Sequence, residues 1–120
     1  MAEFGYRKLI VYKKAKELVL LIYLLTKGFP EEEKYSLVPQ LRRAIISVLA
    51  NIVEGYSRES RKDFARFLNI SIASSTEVGL YLELAHDLGY VSADDFAKSS
   101  GLLEEISKML YAFHRKLKTK

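Results

Sequence analysis

Among the residue pairs in this chain that could do chemistry, Glu83-Leu84-Ala85-His86 stands out first. A Glu-x-x-His pair at helical spacing aims one carboxylate and one imidazole the same way, as in bundles that hold carboxylate-bridged metal pairs. Such a centre needs a second copy on a facing helix. The other histidine, His114, has Leu110 and Tyr111 where that acid would stand, so His86 reads instead as a partly buried, hydrogen-bonded side chain. Gly55-Tyr56-Ser57-Arg58 lacks the lysine and the preceding strand of a phosphate-binding loop. With no cysteine in the chain, a thiol nucleophile, a thiolate zinc site, an iron–sulfur cluster and a disulfide framework are excluded together. No catalytic residue, metal or other cofactor is expected, and the chain reads as a non-enzyme.

A better-supported chemistry is electrostatic. Arg58, Arg61, Lys62 and Arg66 fall within nine residues, with Tyr56 close by to stack on a base. Arg42 and Arg43 lie upstream, and Arg115, Lys116, Lys118 and Lys120 close the chain. Basic clusters attract nucleic-acid backbones by releasing condensed counterions, so Arg58, Arg61, Lys62 and Arg66 are the expected contacts to RNA or DNA. The formal charge of +4 is unevenly spread: residues 77–105 carry seven acids against one lysine, while residues 106–120 carry five basic residues and no acid. The competing reading makes the chain a protein–protein interaction module whose basic residues only balance that acidic segment.

Positioning these groups falls to helices. A chain of 120 residues is one domain's worth, able to bury about two thirds of its unfolded surface. With 49% hydrophobic residues, two prolines and six glycines, the composition is that of an ordered helical protein. Apolar residues recur at helical spacing between few breaks, which predicts four helices near 7–27, 38–56, 61–88 and 93–117, and no strand. Gly28 and Pro30 should close the first, Ser36 should cap the second, and Pro39 suits its first turn. Gly55 is expected to end the second helix and Gly89 the third. Ser60 and Ser92, each three residues before an aspartate, should cap the third and fourth. Gly101 would mark an irregular first turn. Short connections make this an all-α, antiparallel up-down-up-down four-helix bundle. The end of the second helix and the start of the third then coincide, whereas the fourth is expected to end toward the other side, so one continuous basic face is not expected.

Two of the helices are more apolar than one core requires. On the first, Leu20, Leu21, Leu24 and Leu25 lie across from Val11, Ala15, Leu18 and Ile22. On the third, Ile70, Ala73, Tyr81, Leu84 and Leu88 lie roughly across from a core stripe in which Ser71, Ser75 and Gly79 are small enough for a neighbour to come close. A second apolar stripe exceeds what a monomer usually leaves in water, so a homo-oligomer is expected, with Leu20, Leu21, Leu24, Ile70, Tyr81 and Leu84 at its interface. The alternative covers both stripes with the fourth helix or with the N-terminal segment bearing Phe4 and Tyr6. Arg43, Glu54 and Glu77 are expected in a buried or interface polar network, with Arg43 facing Glu77; solvated surface charges are the plain alternative.

The longest uncharged apolar run, Leu18–Leu25, has eight residues, against roughly twenty needed to span a bilayer. No small-residue cleavage site follows it, so a cytoplasmic location without membrane contact is expected.

The run Pro39-Gln-Leu-Arg-Arg-Ala-Ile-Ile-Ser-Val-Leu-Ala-Asn-Ile-Val-Glu-Gly55, followed by Arg58-Glu-Ser60, Phe64 and Phe67-Leu68, resembles the bacterial four-helix-bundle family of the 23S rRNA-intervening-sequence proteins. Phe29-Pro30 and Glu33-Lys34-Tyr35-Ser36-Leu37 are similar to the first loop of that family, so the likeness covers nearly the whole chain. Where the family has a small-residue Ala-x-Gly-Ser segment, this chain has Ile72-Ala73-Ser74-Ser75-Thr76-Glu77, a modest departure. The resemblance implies an antiparallel bundle, commonly a pentameric barrel. It further implies kinship with the accessory variability protein of diversity-generating retroelements, which binds a reverse transcriptase and nucleic acid through a positively charged barrel surface. It implies no catalysis.

Overall fold

The computed structural model describes residues 5–119, which form α1 (Ile10–Thr26), α2 (Leu37–Tyr56), α3 (Arg61–Asp87) and α4 (Ala93–Lys118), with no strand among them. Short 3-10 turns at Gly5–Lys8 and Glu31–Glu33 precede α1 and α2. Phe4 and Lys120 lie outside the described residues. α1 begins at Ile10, later than Arg7, because the Gly5–Lys8 turn closes with the Leu9 N–H on the Tyr6 carbonyl at 3.0 Å, and Leu9 itself is extended.

The helix starts obey local hydrogen-bond demand. The Ser60 hydroxyl accepts from the Asp63 N–H at 3.0 Å, and the Ser92 hydroxyl accepts from the Asp95 N–H at 3.1 Å. Ser36 occupies the capping position of α2 but makes no capping bond; Glu33 Oε1 instead accepts from the Leu37 N–H at 3.3 Å. Gly89 stops α3 in the left-handed region at φ 85°, a conformation without penalty only for glycine. Gly55 corrects the sequence reading, since α2 continues through it. A Cβ there would sit 2.7 Å from Phe64 Cδ1 and 3.0 Å from Phe67 Cβ, so the glycine serves close approach of α3. Gly101 lies within regular helix, where a Cβ would meet nothing within 4 Å.

α2 packs on α1 and α3, and α4 packs on the same two neighbours, around a core that includes Leu18, Ile22, Ile45, Leu68, Leu82 and Ile106. The small residues of α3 serve two partners. The Ser71 hydroxyl donates to the Val48 carbonyl of α2 at 2.7 Å, and the Ser74 and Ser47 hydroxyls meet at 2.7 Å. Toward α4, Ser107 reaches the Ser75 hydroxyl at 3.4 Å, and Gly79 lets Leu103 approach. At one end of the molecule, Phe29 packs on Tyr90 with ring centroids 5.3 Å apart. The Tyr90 hydroxyl donates to Glu33 Oε2 at 2.8 Å, tying the α1–α2 connection to the α3–α4 connection. That hydrogen bond, with some burial and the nearby Glu33 and Glu32 charges, raises the Tyr90 phenol above its ordinary value of 10.0. A raised folded value means the contact is intact at neutral pH and is lost as pH climbs through the titration of the phenol.

Two glycine substitutions should therefore move stability in opposite directions. Gly55→Ala forces Phe64 off its seat and should lower unfolding free energy by about 1–3 kcal/mol, as overpacking does. Gly101→Ala should raise it by roughly 0.4–1 kcal/mol, because no neighbour is disturbed and the unfolded chain loses freedom. Urea midpoints at constant slope check both.

Candidate nucleic-acid interface

The short Ser57–Ser60 connection folds the start of α3 back beside the end of α2, and an aromatic cluster holds that corner. Phe64 packs edge-on to Tyr56, with centroids 6.0 Å apart, and to Phe113 of α4 at 5.0 Å. Tyr56, expected to be available for stacking, thus spends one edge on Phe64, and Gly5 of the first 3-10 turn lies against its ring.

The four basic residues of this corner have different partners. Arg58 pairs with Glu54 at 3.0 Å and lies 4.5 Å over the Phe67 ring. Arg66 pairs with Asp63 at 3.1 Å and also lies 4.5 Å from the Phe67 centroid, so one ring carries two guanidinium groups. Lys62 makes no ion pair among the described residues. Arg61 is committed to the backbone: its guanidinium donates to the carbonyls of Lys116 at 2.7 Å, Thr119 at 3.1 Å and Leu117 at 3.3 Å. The Lys116 and Leu117 carbonyls belong to the last turn of α4, which lacks helical N–H partners for them; the Thr119 hydroxyl also donates to Lys116 at 3.1 Å, and a cation there meets the negative end of the helix dipole.

The same three bonds overturn the expected placement of the fourth helix. α4 ends beside the start of α3, so Arg115, Lys116 and Lys118 stand at the same end of the molecule as Arg58, Lys62 and Arg66. Lys8 joins them, lining one depression with Met109, Phe113 and Lys116. The error lay in tracing the direction of the fourth helix, since the residues themselves were identified. Between α3 and α4 a groove of about 460 Å³ opens, lined by Lys62, Ala65, Arg66, Asn69, His114, Leu117 and Lys118. Asn69 and His114 were not singled out for this site; neither carries a sequence signal until α4 is laid against α3.

The expected buried or interface network of Arg43, Glu54 and Glu77 is not buried within the chain. Arg43, Glu54 and Glu77 are all exposed. Arg43 and Glu77 line one shallow depression with Gln40, Ser47 and Tyr81, yet form no ion pair, and Glu54 turns to Arg58. Arg43 and Glu77 are presented outward, where water hydrates each charge and weakens the drive to pair. Of the expected interface residues, Leu20 is 63% exposed, Leu24 64%, Ile70 40% and Leu84 42%, while Leu21 and Tyr81 are half-buried. α4 leaves these residues uncovered. His86 is half-buried, its ring stacked on Phe96 at 4.5 Å and its Nδ1 3.0 Å from the Val91 carbonyl. Glu83 is exposed, and no three His, Asp or Glu side chains converge on a metal position among the described residues.

A family model described as 23S rRNA-intervening sequence protein matches residues 7–112 of the chain. The chain belongs to this family. A solved structure from Bacteroides thetaiotaomicron, described as a protein with unknown function from the S23 ribosomal protein family, is similar at 27% sequence identity with a TM-score of 0.79. The match covers 92% of this chain and all of the Bacteroides chain. No curated protein matches the sequence. The chain therefore shares its all-α fold with that relative, and no helix among its described residues is long and apolar enough to cross a membrane.

Arg61 should behave differently from its basic neighbours. Arg61→Ala should speed amide hydrogen exchange in the last turn of α4 and cost on the order of 1 kcal/mol of stability, from lost charge-assisted bonds at an exposed site. Lys62→Ala should leave exchange in that turn unchanged.

Proposed function

We propose that this family member is a non-enzymatic, homo-oligomeric bundle of up-down-up-down topology that holds RNA or DNA by its backbone. The observation that carries this reading is the gathering of Arg58, Lys62, Arg66, Arg115, Lys116 and Lys118 at one end of the helices, brought about by the Arg61 bonds to the end of α4. Counterion release from a phosphate backbone rewards such density, and the contacts discriminate poorly among sequences. The name of the family, which links it to 23S rRNA, agrees with a nucleic-acid partner. A cytoplasmic location follows as part of the same reading.

Oligomerisation is supported by the exposed leucines and isoleucine on the outer faces of α1 and α3. Flanking copies would cover them, and the unpaired Arg43 and Glu77 would find partners across the seam. A pentameric barrel, as the family resemblance implies, would multiply the basic end into a charged ring. The second reading, a protein–protein module without nucleic-acid affinity, draws on the same exposed apolar faces with a different protein as their cover.

Two measurements test the proposal. Arg58→Ala, Lys62→Ala and Arg66→Ala combined should weaken RNA binding by about tenfold or more and flatten the salt dependence by roughly 0.7–0.9 per lost phosphate contact. Oligomer mass by light scattering should stay unchanged in that variant, whereas Leu20→Lys with Leu84→Lys should reduce it. Undiminished RNA affinity in the triple variant would rule out this basic end as the interface. A wild-type chain that weighs one subunit at micromolar concentration would remove the oligomer.

A further inference from the structure

We infer that the groove between α3 and α4 is the seat of an unpaired RNA strand, with one nucleotide lodged between the helices and its phosphates held at the rim. This inference rests on the nucleic-acid reading above and narrows it to one place and one kind of strand.

The depth profile of the groove carries the argument. Ala65 is buried and Leu117 half-buried, so the deepest lining is aliphatic. Lys62, Arg66 and Lys118 are exposed at its mouth. Neither lysine makes an ion pair among the described residues, and Arg66 spends its Nε on Asp63, leaving its two terminal nitrogens for a ligand. An apolar floor beneath a cationic rim matches a ligand that is flat and weakly polar in its body and anionic along its edge. An unpaired nucleotide has that distribution. A duplex turns its bases inward and offers the groove only phosphates, leaving the floor unused. The volume of about 460 Å³ lies in the roughly 300–1,000 Å³ range of sites that enclose one small organic group.

Two uncharged or weakly basic groups complete the site and distinguish it from a diffuse basic surface. His114 is half-buried in the lining of the groove, where its imidazole would meet a lodged base. Asn69 is exposed next to Arg66 on the same side of α3, and no hydrogen bond engages its amide among the described residues. An amide can donate to and accept from a ribose 2′-hydroxyl, the group that separates RNA from DNA, and we assign Asn69 that contact. Asp63 stands beside Arg66 of the rim, and its pairing with that guanidinium keeps it from facing the strand unneutralised.

Fluorescence anisotropy with a short oligouridylate, oligothymidylate of equal length and a blunt RNA duplex tests this on the full-length protein. The oligouridylate should bind tightest. His114→Ala and Asn69→Ala should each weaken it about fivefold or more, through loss of a base contact and of a ribose contact respectively, despite removing no lysine or arginine. Lys13→Ala with Lys16→Ala, exposed positions on α1 away from the groove, should stay within about twofold of wild type after correction for the salt slope. The inference is overturned if His114→Ala and Asn69→Ala bind as wild type does, if the α1 pair loses as much as Lys62→Ala with Lys118→Ala, or if duplex outcompetes single strand. Those results leave backbone binding intact. Equal affinity for the thymidylate overturns the assignment of RNA. Failure of wild type to bind any of the three probes overturns the broader reading as well, so the two failures are separable. Unchanged helical circular dichroism in each variant excludes loss of fold as the cause.

Discussion

Gly55 sets the geometry on which the rest of the molecule turns. Because it has no side chain, Phe64 and Phe67 of α3 settle directly on the backbone of α2, and the corner between the two helices closes tightly. Phe64 in turn carries Phe113, which fixes the approach of α4. Arg61, one turn before Phe64, then lies within reach of the carbonyls that α4 leaves open. Close packing tolerates little extra volume, so one methyl group at Gly55 acts on all three contacts. The consequence is chemical as well as mechanical, since this chain of contacts crowds like charges at one end of the molecule.

The exposed apolar faces belong to the same economy of small and large residues. α3 buries Leu68, Ile72, Val78 and Leu82 and uses Ser71, Ser74, Ser75 and Gly79 for close contact with α2 and α4, yet it also carries Ile70, Leu80 and Leu84 on its outer side, with Leu88 just past its end. α1 has fewer neighbours along its outer side, and Leu20 and Leu24 are left in water. The α3 face repeats over several turns, whereas the α1 face is one turn long.

Much of this was legible from sequence because it is local. A cap such as Ser60 or Ser92 needs only a hydroxyl three residues before a free N–H, and the stop at Gly89 needs only a left-handed residue. Apolar periodicity gave the four helices for the same reason. What escaped depends on partners far along the chain. Gly55 looks like a terminator until Phe64 is placed over it, and Ser36 looks like a cap until Glu33 takes the Leu37 N–H. Arg61 looks like one more surface cation until the end of α4 arrives 55 residues later. Arg43 and Glu77 were brought to one depression but not into contact, since their helical positions fix direction and leave side-chain hydration open. Asn69 and His114 share a groove only in three dimensions.

Tyr90 and Glu33 mark the end of the molecule opposite Arg61, where Glu31, Glu32, Asp87, Asp94 and Asp95 gather near the α1–α2 and α3–α4 connections. Along a molecule whose longest extent is 46 Å, ends of unlike charge give the chain a permanent electric dipole. A polyanion drifting nearby exerts a torque on it before any contact forms, turning the cationic pole forward. Dilute electrolyte lengthens the distance over which that torque acts, so ionic strength governs how strongly the molecule is turned.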